Sequence, residues 1–116
     1  MARDGWHILR DEDGLTLARH LPARFDVSVE AEVPLCDAGR LARQVRQDMW
    51  RALQRVRGFS PVVRVERLGD VMRVSAGGRV PAEARSDAQR KIVDVLDDGN
   101  RRARWVRWAG ACKHTS

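Results

Sequence analysis

The stretch that decides the fold runs from residue 37 to residue 58 and reads DAGRLARQVRQDMWRALQRVRG. Its apolar residues recur every three or four positions, which predicts an amphipathic helix with one buried stripe. The stripe consists of Leu41, Val45, Met49, Ala52, Leu53 and Val56. Asp37 is a suitable N-cap residue, and Gly58 suits the left-handed conformation that ends many helices. We therefore expect one helix between these two residues.

The opposite side of this helix is basic. Its arginines are Arg40, Arg43, Arg46, Arg51, Arg55 and Arg57. Asp48 is the one acid of the helix proper, and Trp50 lies among the arginines. Because consecutive helical residues are rotated by about 100°, Trp50 falls on a different side from Met49. The helix thus has one side that must be buried and one side that can bind an anion.

A hairpin is predicted after the helix. Residues 62–68 and 71–76 alternate between apolar and polar side chains and flank Gly69-Asp70. Glycine at the first central position suits a type II′ turn. The implied register pairs Leu68 with Val71, Glu66 with Arg73, Val65 with Val74, and Val63 with Ala76. A slip of one residue would mix apolar and polar faces, so the pattern favours this register alone. Gly77-Gly78 is expected to leave the sheet.

Two further strands are predicted ahead of the helix. Residues 14–20 form the first, and Pro22 marks the turn that follows, since proline cannot continue a ladder. Residues 25–33 alternate cleanly, which is typical of an antiparallel strand with one solvated face. Residues 1–13 are expected to be an irregular N-terminal segment.

A second helix is predicted to begin at Ser86, where Ser86 and Gln89 have the spacing of a capping box, and to end at Gly99. Asn100 can cap a short third helix, RRARWVRWA, although a kinked continuation of the second helix fits the same residues. Residues 110–116 are expected to be a frayed C-terminus.

The resulting order is ββαββα. One apolar face on each hairpin and one apolar stripe on each helix favour a two-layer α+β sandwich. We predict a four-stranded antiparallel sheet with two main helices on one face, and a single domain over residues 1–116. If the hairpins meet edge to edge, the open face of the sheet carries Asp26, Glu30 and Glu32 beside Arg64 and Arg73.

The charge is unevenly distributed. The chain has 22 basic and 16 acidic residues, a net charge of +6. Residues 1–36 contribute −3 (4 basic, 7 acidic) and residues 37–116 contribute +9 (18 basic, 9 acidic). This asymmetry indicates an anionic partner such as nucleic acid or an acidic protein surface. Nearly all the cations are arginine, however, and a coding bias toward arginine would produce the same surplus without any partner.

Cysteine usage and hydropathy predict a cytoplasmic protein. Cys36 and Cys112 are far apart and form no CxxC motif, which is typical of reduced thiols. The N-terminal residues lack the apolar core of a signal peptide, and no apolar run is long enough to span a membrane. We expect no membrane partner.

Arginines interleaved with tryptophans suit single-stranded nucleic acid, because bases stack on indole while guanidinium groups neutralise phosphates. The candidate surface comprises Arg43, Arg46, Trp50 and Arg57 on the long helix, with Arg101, Arg102, Arg104 and Arg107 near the C-terminus. No RRM, KH or helix-turn-helix signature accompanies them. Trp105 and Trp108 are three residues apart and share a helix face, which favours internal packing for both.

Other interpretations use the same residues. Tryptophan and arginine are enriched in the hot spots of protein interfaces, so a protein-interaction module or a homodimer is the main alternative. The segment RRARWVRWA also has the composition of a short helix on anionic lipid.

Enzyme interpretations have less support. Cys36 precedes a helix N-terminus, which lowers the pKa of a thiol, but His20 is the one candidate base and no third, orienting group is evident. Residues 75–79 could cradle a phosphate, although two glycines after a strand usually mark a turn. No nucleotide fingerprint or zinc spacing is present. We expect a small, basic, non-enzymatic binding domain without metal or cofactor.

Overall fold

The computed structural model describes residues 6–110 and holds five strands and three α-helices in this range. The strands are β1 (His7–Arg10), β2 (Gly14–Ala18), β3 (Val27–Pro34), β4 (Ser60–Leu68) and β5 (Val71–Arg79). The helices are α1 (Ala38–Ala52), α2 (Arg85–Leu96) and α3 (Gly99–Ala109), with a 3₁₀ turn at Ala82–Ala84. The α+β class with an antiparallel sheet is confirmed. The strand count of four and the order ββαββα are wrong, because a further strand comes first and a third helix last.

The additional strand, β1, lies in the segment expected to be irregular. It pairs with β2, with His7 opposite Ala18 and Arg10 opposite Leu15. Four residues are too few for a clear period of two, which explains why the sequence pattern did not reveal it. Residues 1–5 of the N-terminal segment and residues 111–116 of the expected frayed C-terminus lie outside the described residues.

The strands lie in the order β1-β2-β4-β5-β3, and every neighbouring pair is antiparallel. The expected pairing of β2 with β3 is wrong, because β2 pairs with β4 and β3 pairs with β5. The chain between them crosses one end of the β4–β5 hairpin, where the Asp26 N–H donates to the Gly78 carbonyl at 2.8 Å. Strand β5 lies between β4 and β3, and its residues 74–78, which are small or apolar, are buried.

The register predicted for the β4–β5 hairpin is confirmed. Leu68 lies opposite Val71 and Val63 opposite Ala76, and Gly69 in the turn has a φ of 63°. The expected departure from the sheet at Gly77 is wrong, since β5 continues through Arg79. A Cβ atom at Gly77 would lie 1.9 Å from the Val27 carbonyl oxygen, so glycine is required by the close approach of β3.

Helix α1 packs its apolar stripe on the sheet. Leu41, Val45 and Met49 are fully buried, and the Asp37 carboxylate accepts the Arg40 N–H at 2.9 Å, as the sequence predicts for an N-cap. The helix ends at Ala52, earlier than expected. A turn then carries the chain back to β4, and Gly58 takes its positive φ of 77° within that turn.

Helices α2 and α3 have different caps from those expected. Ala84 precedes α2 and forms no side-chain cap bond, so the Ser86–Gln89 capping box is wrong. The 3₁₀ turn leads directly into α2 and leaves Ser86 inside the helix. The Asp98 carboxylate, instead of Asn100, caps α3 by accepting the Asn100 and Arg101 N–H groups at 2.9 and 3.1 Å.

All three helices cover one face of the sheet and share a single core with it. Helix α1 lies mainly over β4 and β2, α2 lies over β3, and α3 packs against α1. This arrangement leaves the outer side of α1 and the far face of the sheet toward solvent.

Candidate functional site

The outer side of α1 is a strongly cationic surface. Arg40, Arg43 and Arg51 are exposed, and Trp50 retains 49% of its side-chain exposure among them. The one acid in the helix, Asp48, is only 8% exposed and faces α3. The helix itself therefore supplies no carboxylate on its outer side to offset its exposed arginines.

The exposed arginines of α1 form no ion pair within residues 6–110. Neither Arg40, Arg43 nor Arg51 lies within ion-pair distance of a carboxylate there. Unpaired guanidinium groups on one surface keep their full charge for an incoming anion. Of the cations proposed from sequence, Arg43 lies on this exposed side, Arg46 is half-buried, and Arg57 lies beyond the helix end, exposed in the following turn.

One flank of α1 forms a recess of about 390 Å³ against the start of β1. Its lining residues are Trp6, Arg19, Arg46, Gln47 and Trp50. The guanidinium carbon of Arg46 lies 4.8 Å from the centre of the Trp6 ring, within cation–π distance. The guanidinium of Arg19 approaches the same ring at 5.9 Å. Sequence analysis missed Trp6 and Arg19, because their proximity to α1 depends on strands β1 and β2.

The other flank of α1 is joined to α3 by a buried carboxylate. Oδ2 of Asp48 accepts the indole N–H of Trp105 at 2.7 Å and is also hydrogen-bonded by the Arg104 guanidinium. Trp105 is fully buried, as the sequence predicts. This carboxylate satisfies the one polar atom of a large core side chain and partly neutralises Arg104, so these contacts have an evident structural role.

Trp108 does not share the burial of Trp105. It is 66% exposed, so the prediction that both tryptophans pack internally is wrong for this residue. The buried line of α3 passes through Trp105 and Ala109, four residues apart, and Trp108 lies just outside it. Trp108 instead borders a second recess of about 320 Å³ that includes Gln47 and Arg51 of α1.

The remaining C-terminal arginines do not join the α1 surface as one group. The Arg102 guanidinium donates to the Leu96 carbonyl at 2.5 Å, and Arg101 lies 3.8 Å from Asp98. Arg102 and Arg107 line a recess between α3 and β3, away from α1. The C-terminal candidate Arg104 borders a recess shared with α1, beside Trp108.

The far face of the sheet pairs its charges internally. Arg64 binds Asp11 at 2.9 Å and lies 3.5 Å from Glu66, while Arg73 lies 3.7 Å from Glu32. The hydrogen bond from Arg64 lowers the pKa of the Asp11 carboxyl, with smaller help from the amides of Gly14 and Asp13. The same contact raises the pKa of Arg64. The sequence places Glu32 beside Arg73 correctly, and both arginines have carboxylate partners on this face.

The two enzyme-like arrangements considered from sequence are not formed. Cys36 is buried and follows β3, whose last residue, Pro34, pairs with Val71 at the turn end of the hairpin. His20 is instead 2.8 Å from the Ser60 hydroxyl, at the opposite end of β4. A strand of 9 residues is about 27 Å long, so the two side chains cannot act together.

Residues 75–79, considered as a phosphate cradle, belong to strand β5, and their backbone groups pair with β3 and β4. Among residues 6–110, no cluster of three or more histidine, cysteine, aspartate or glutamate side chains is placed to hold a metal ion. In the same range, no helix has the length and apolar character needed to cross a membrane.

Comparisons of the chain with protein-family models, with curated proteins and with solved structures find no match.

Proposed function

We propose that this protein binds single-stranded nucleic acid on the outer side of α1. One observation carries the proposal: exposed arginines that have no carboxylate partner among residues 6–110 surround a half-exposed tryptophan on a single helix face. Phosphates supply the negative charge that such a face attracts, and bases supply planar rings for the indole.

The proposal leaves out most of the C-terminal residues that the hypothesis from sequence included. Arg101, Arg102 and Arg107 are assigned at most long-range electrostatic attraction, because their near neighbours are Asp98, the Leu96 carbonyl and β3. Arg104 already donates to Asp48. A non-enzymatic role and a cytoplasmic location complete the proposal.

A salt series tests this function. Anisotropy of a labelled single-stranded oligonucleotide of about 12 nucleotides, long enough for most compact sites, measures affinity between about 50 and 200 mM salt. Contacts from Arg40, Arg43 and Arg51 predict a log–log slope of about −2, since each phosphate contributes about −0.7 for single strands. Failure to bind at about 50 mM salt contradicts the proposal.

A charge-matched variant separates a defined site from general basicity. The substitutions Arg85→Gln and Arg90→Gln on α2 remove two exposed cations from another surface. We expect this variant to keep the wild-type salt slope. Equal loss of affinity from the α2 variant and from an α1 variant lacking two arginines would show binding by net charge alone.

Protein association is the second candidate function. It is favoured by the exposure of Trp50 and Trp108, because tryptophans exposed beside arginines are typical of interface hot spots. Analytical ultracentrifugation over a concentration series detects a homodimer. A monomer at every concentration, together with salt-dependent oligonucleotide binding, favours the nucleic-acid proposal over this one.

A further inference from the structure

The recess between Trp6 and Trp50 has a chemical composition suited to one nucleotide. Its described lining residues supply two indole rings, two guanidinium groups and one amide, from Trp6, Trp50, Arg19, Arg46 and Gln47. Its volume of about 390 Å³ falls near the lower end of the range of about 300–1,000 Å³ for small-molecule sites. A planar, anionic ligand can contact both the rings and the guanidinium groups of these residues.

We propose that this recess holds one nucleotide of the bound strand, with its base stacked on Trp50 and its phosphate beside Arg46 and Arg19. This inference rests on the proposed function and gives that function a defined position for one base. Trp50 offers an indole that is 49% exposed, which is the surface a base needs for stacking.

Trp6 is a positioning residue in this arrangement. The Arg46 guanidinium stacks on the Trp6 ring at 4.8 Å, which restricts the orientation of a long side chain before any ligand arrives. Less rotamer freedom is then lost when Arg46 meets a phosphate. Gln47 lies between Trp50 and Arg46 in sequence and lines the same recess, where its amide can donate to and accept from a base edge.

The recess beside Trp108 is less suitable for a base with its phosphate. Asp48 and Arg104 both line it, and the Asp48 carboxylate would repel an anion there. Trp108 is more exposed than Trp50, and the Arg104 guanidinium next to it donates to the Asp48 carboxylate. We therefore assign the base to Trp50, and Trp108 serves as the matched control.

Alanine and phenylalanine variants test the assignment in the full chain. Oligonucleotide anisotropy at about 0.1 M salt should show Trp50→Ala weakening affinity about 5- to 150-fold, the range for losing one stacked base. Trp50→Phe keeps an aromatic ring and should restore most of that loss. Trp108→Ala should weaken affinity less than about threefold, because it removes an indole from outside the proposed position.

Trp6→Leu gives a second, independent readout. It removes the ring under Arg46 without removing a base platform or a cation, so it should weaken binding less than Trp50→Ala while keeping the salt slope. An equal effect of Arg46→Gln in the presence and absence of the Trp6→Leu substitution would contradict the positioning role, because the two residues would then act independently. Thermal unfolding of each variant confirms that it is folded.

The outcomes separate the two proposals. Wild-type binding with equal effects of Trp50→Ala and Trp108→Ala overturns the nucleotide position but leaves nucleic-acid binding intact. No wild-type binding at about 50 mM salt overturns both. Self-association that Trp50→Ala abolishes, without any effect on oligonucleotide affinity, overturns the nucleotide position and identifies the recess as a contact between two copies of the chain.

Discussion

Helices α1 and α3 have similar compositions but place their arginines in different surroundings. Arg40, Arg43 and Arg51 on α1 are exposed and form no ion pair within residues 6–110. On α3, Arg104 contacts Asp48 and Arg102 contacts a backbone carbonyl. The same contrast holds for the tryptophans, since Trp50 is half exposed and Trp105 is fully buried.

The difference shows that the neighbours of an arginine decide its role. Helix α1 covers the sheet with one side and has nothing of its own chain, within the described residues, over the other. Helix α3 must fit between α1 and β3, so its polar atoms need partners inside the protein. A charged residue with an internal partner stabilises the fold, whereas one without a partner remains available for binding.

The largest expected change in stability distinguishes the two tryptophans of α3. Trp105→Ala should lower the free energy of unfolding by about 3–5 kcal/mol, because it leaves a large cavity and an unpaired Asp48 oxygen. Trp108→Ala, the same substitution at an exposed position, should change it by less than about 0.5 kcal/mol. Urea unfolding followed by circular dichroism measures both. Similar losses in the two variants would contradict the assignment of Trp105 to the core and Trp108 to the surface.

A smaller effect is expected on oligonucleotide affinity, which we compare between arginine variants of α1 and of α3. Replacing Arg43 and Arg51 with glutamine should weaken oligonucleotide affinity about 25-fold at 0.1 M salt and reduce the steepness of the salt slope by about 1.4, since two phosphate contacts are lost. The paired substitutions Arg101→Gln and Arg107→Gln on α3 remove the same charge and should weaken it less than about fivefold through long-range attraction. Anisotropy across a salt series measures both slopes. Equal salt slopes for the two variants would contradict the different roles assigned to the arginines of α1 and α3.

The smallest effect is expected on the pH dependence of stability and concerns the sheet, where Arg64 is paired with Asp11 and Glu66. Its contact lowers the pKa of Asp11, so the folded state holds this carboxylate ionised more strongly than the unfolded state does. The stability from this contact is therefore present above about pH 4 and is lost as pH falls through the lowered pKa. Asp11→Asn should flatten the acid side of the pH–stability curve below about pH 4, as measured by thermal unfolding at each pH.

Asp13→Asn is the matched control for this titration. Asp13 is an exposed neighbour whose carboxylate forms no hydrogen bond or ion pair with a described side chain. The acid side of its curve should follow that of the wild-type protein. If Asp11→Asn and Asp13→Asn flatten the curve equally, the Asp11–Arg64 contact contributes no specific stability.

Short-range patterns predicted most of the local structure. The hairpin register follows from period-two alternation about Gly69-Asp70, because the two sides of a strand alternate strictly along the chain. The stripe of α1 and the Asp37 cap follow from the geometry of a single helix in the same way. Predictions failed where competing local signals were equally good, as at the cap of α3, where Asp98 lies two residues before Asn100.

The candidate site was predicted in part. Arg43, Arg46 and Trp50 come together on α1 because they belong to one helix face. Trp6 and Arg19 reach the same recess only because β1 and β2 form the edge of the sheet beside α1. Their separation from Trp50 along the chain gives no local pattern that could identify them.

The sequence by itself determined the class of fold, the central hairpin and a helix with one apolar and one cationic side. These features depend on the periodicity of side chains along one segment. Only the tertiary structure decided that β2 and β3 lie on opposite sides of the hairpin, and that Asp48 meets Trp105 and Arg104 across 57 and 56 residues of chain. Such contacts depend on how separate elements pack, because a buried carboxylate or indole N–H needs a hydrogen-bond partner and takes whichever one the fold brings near.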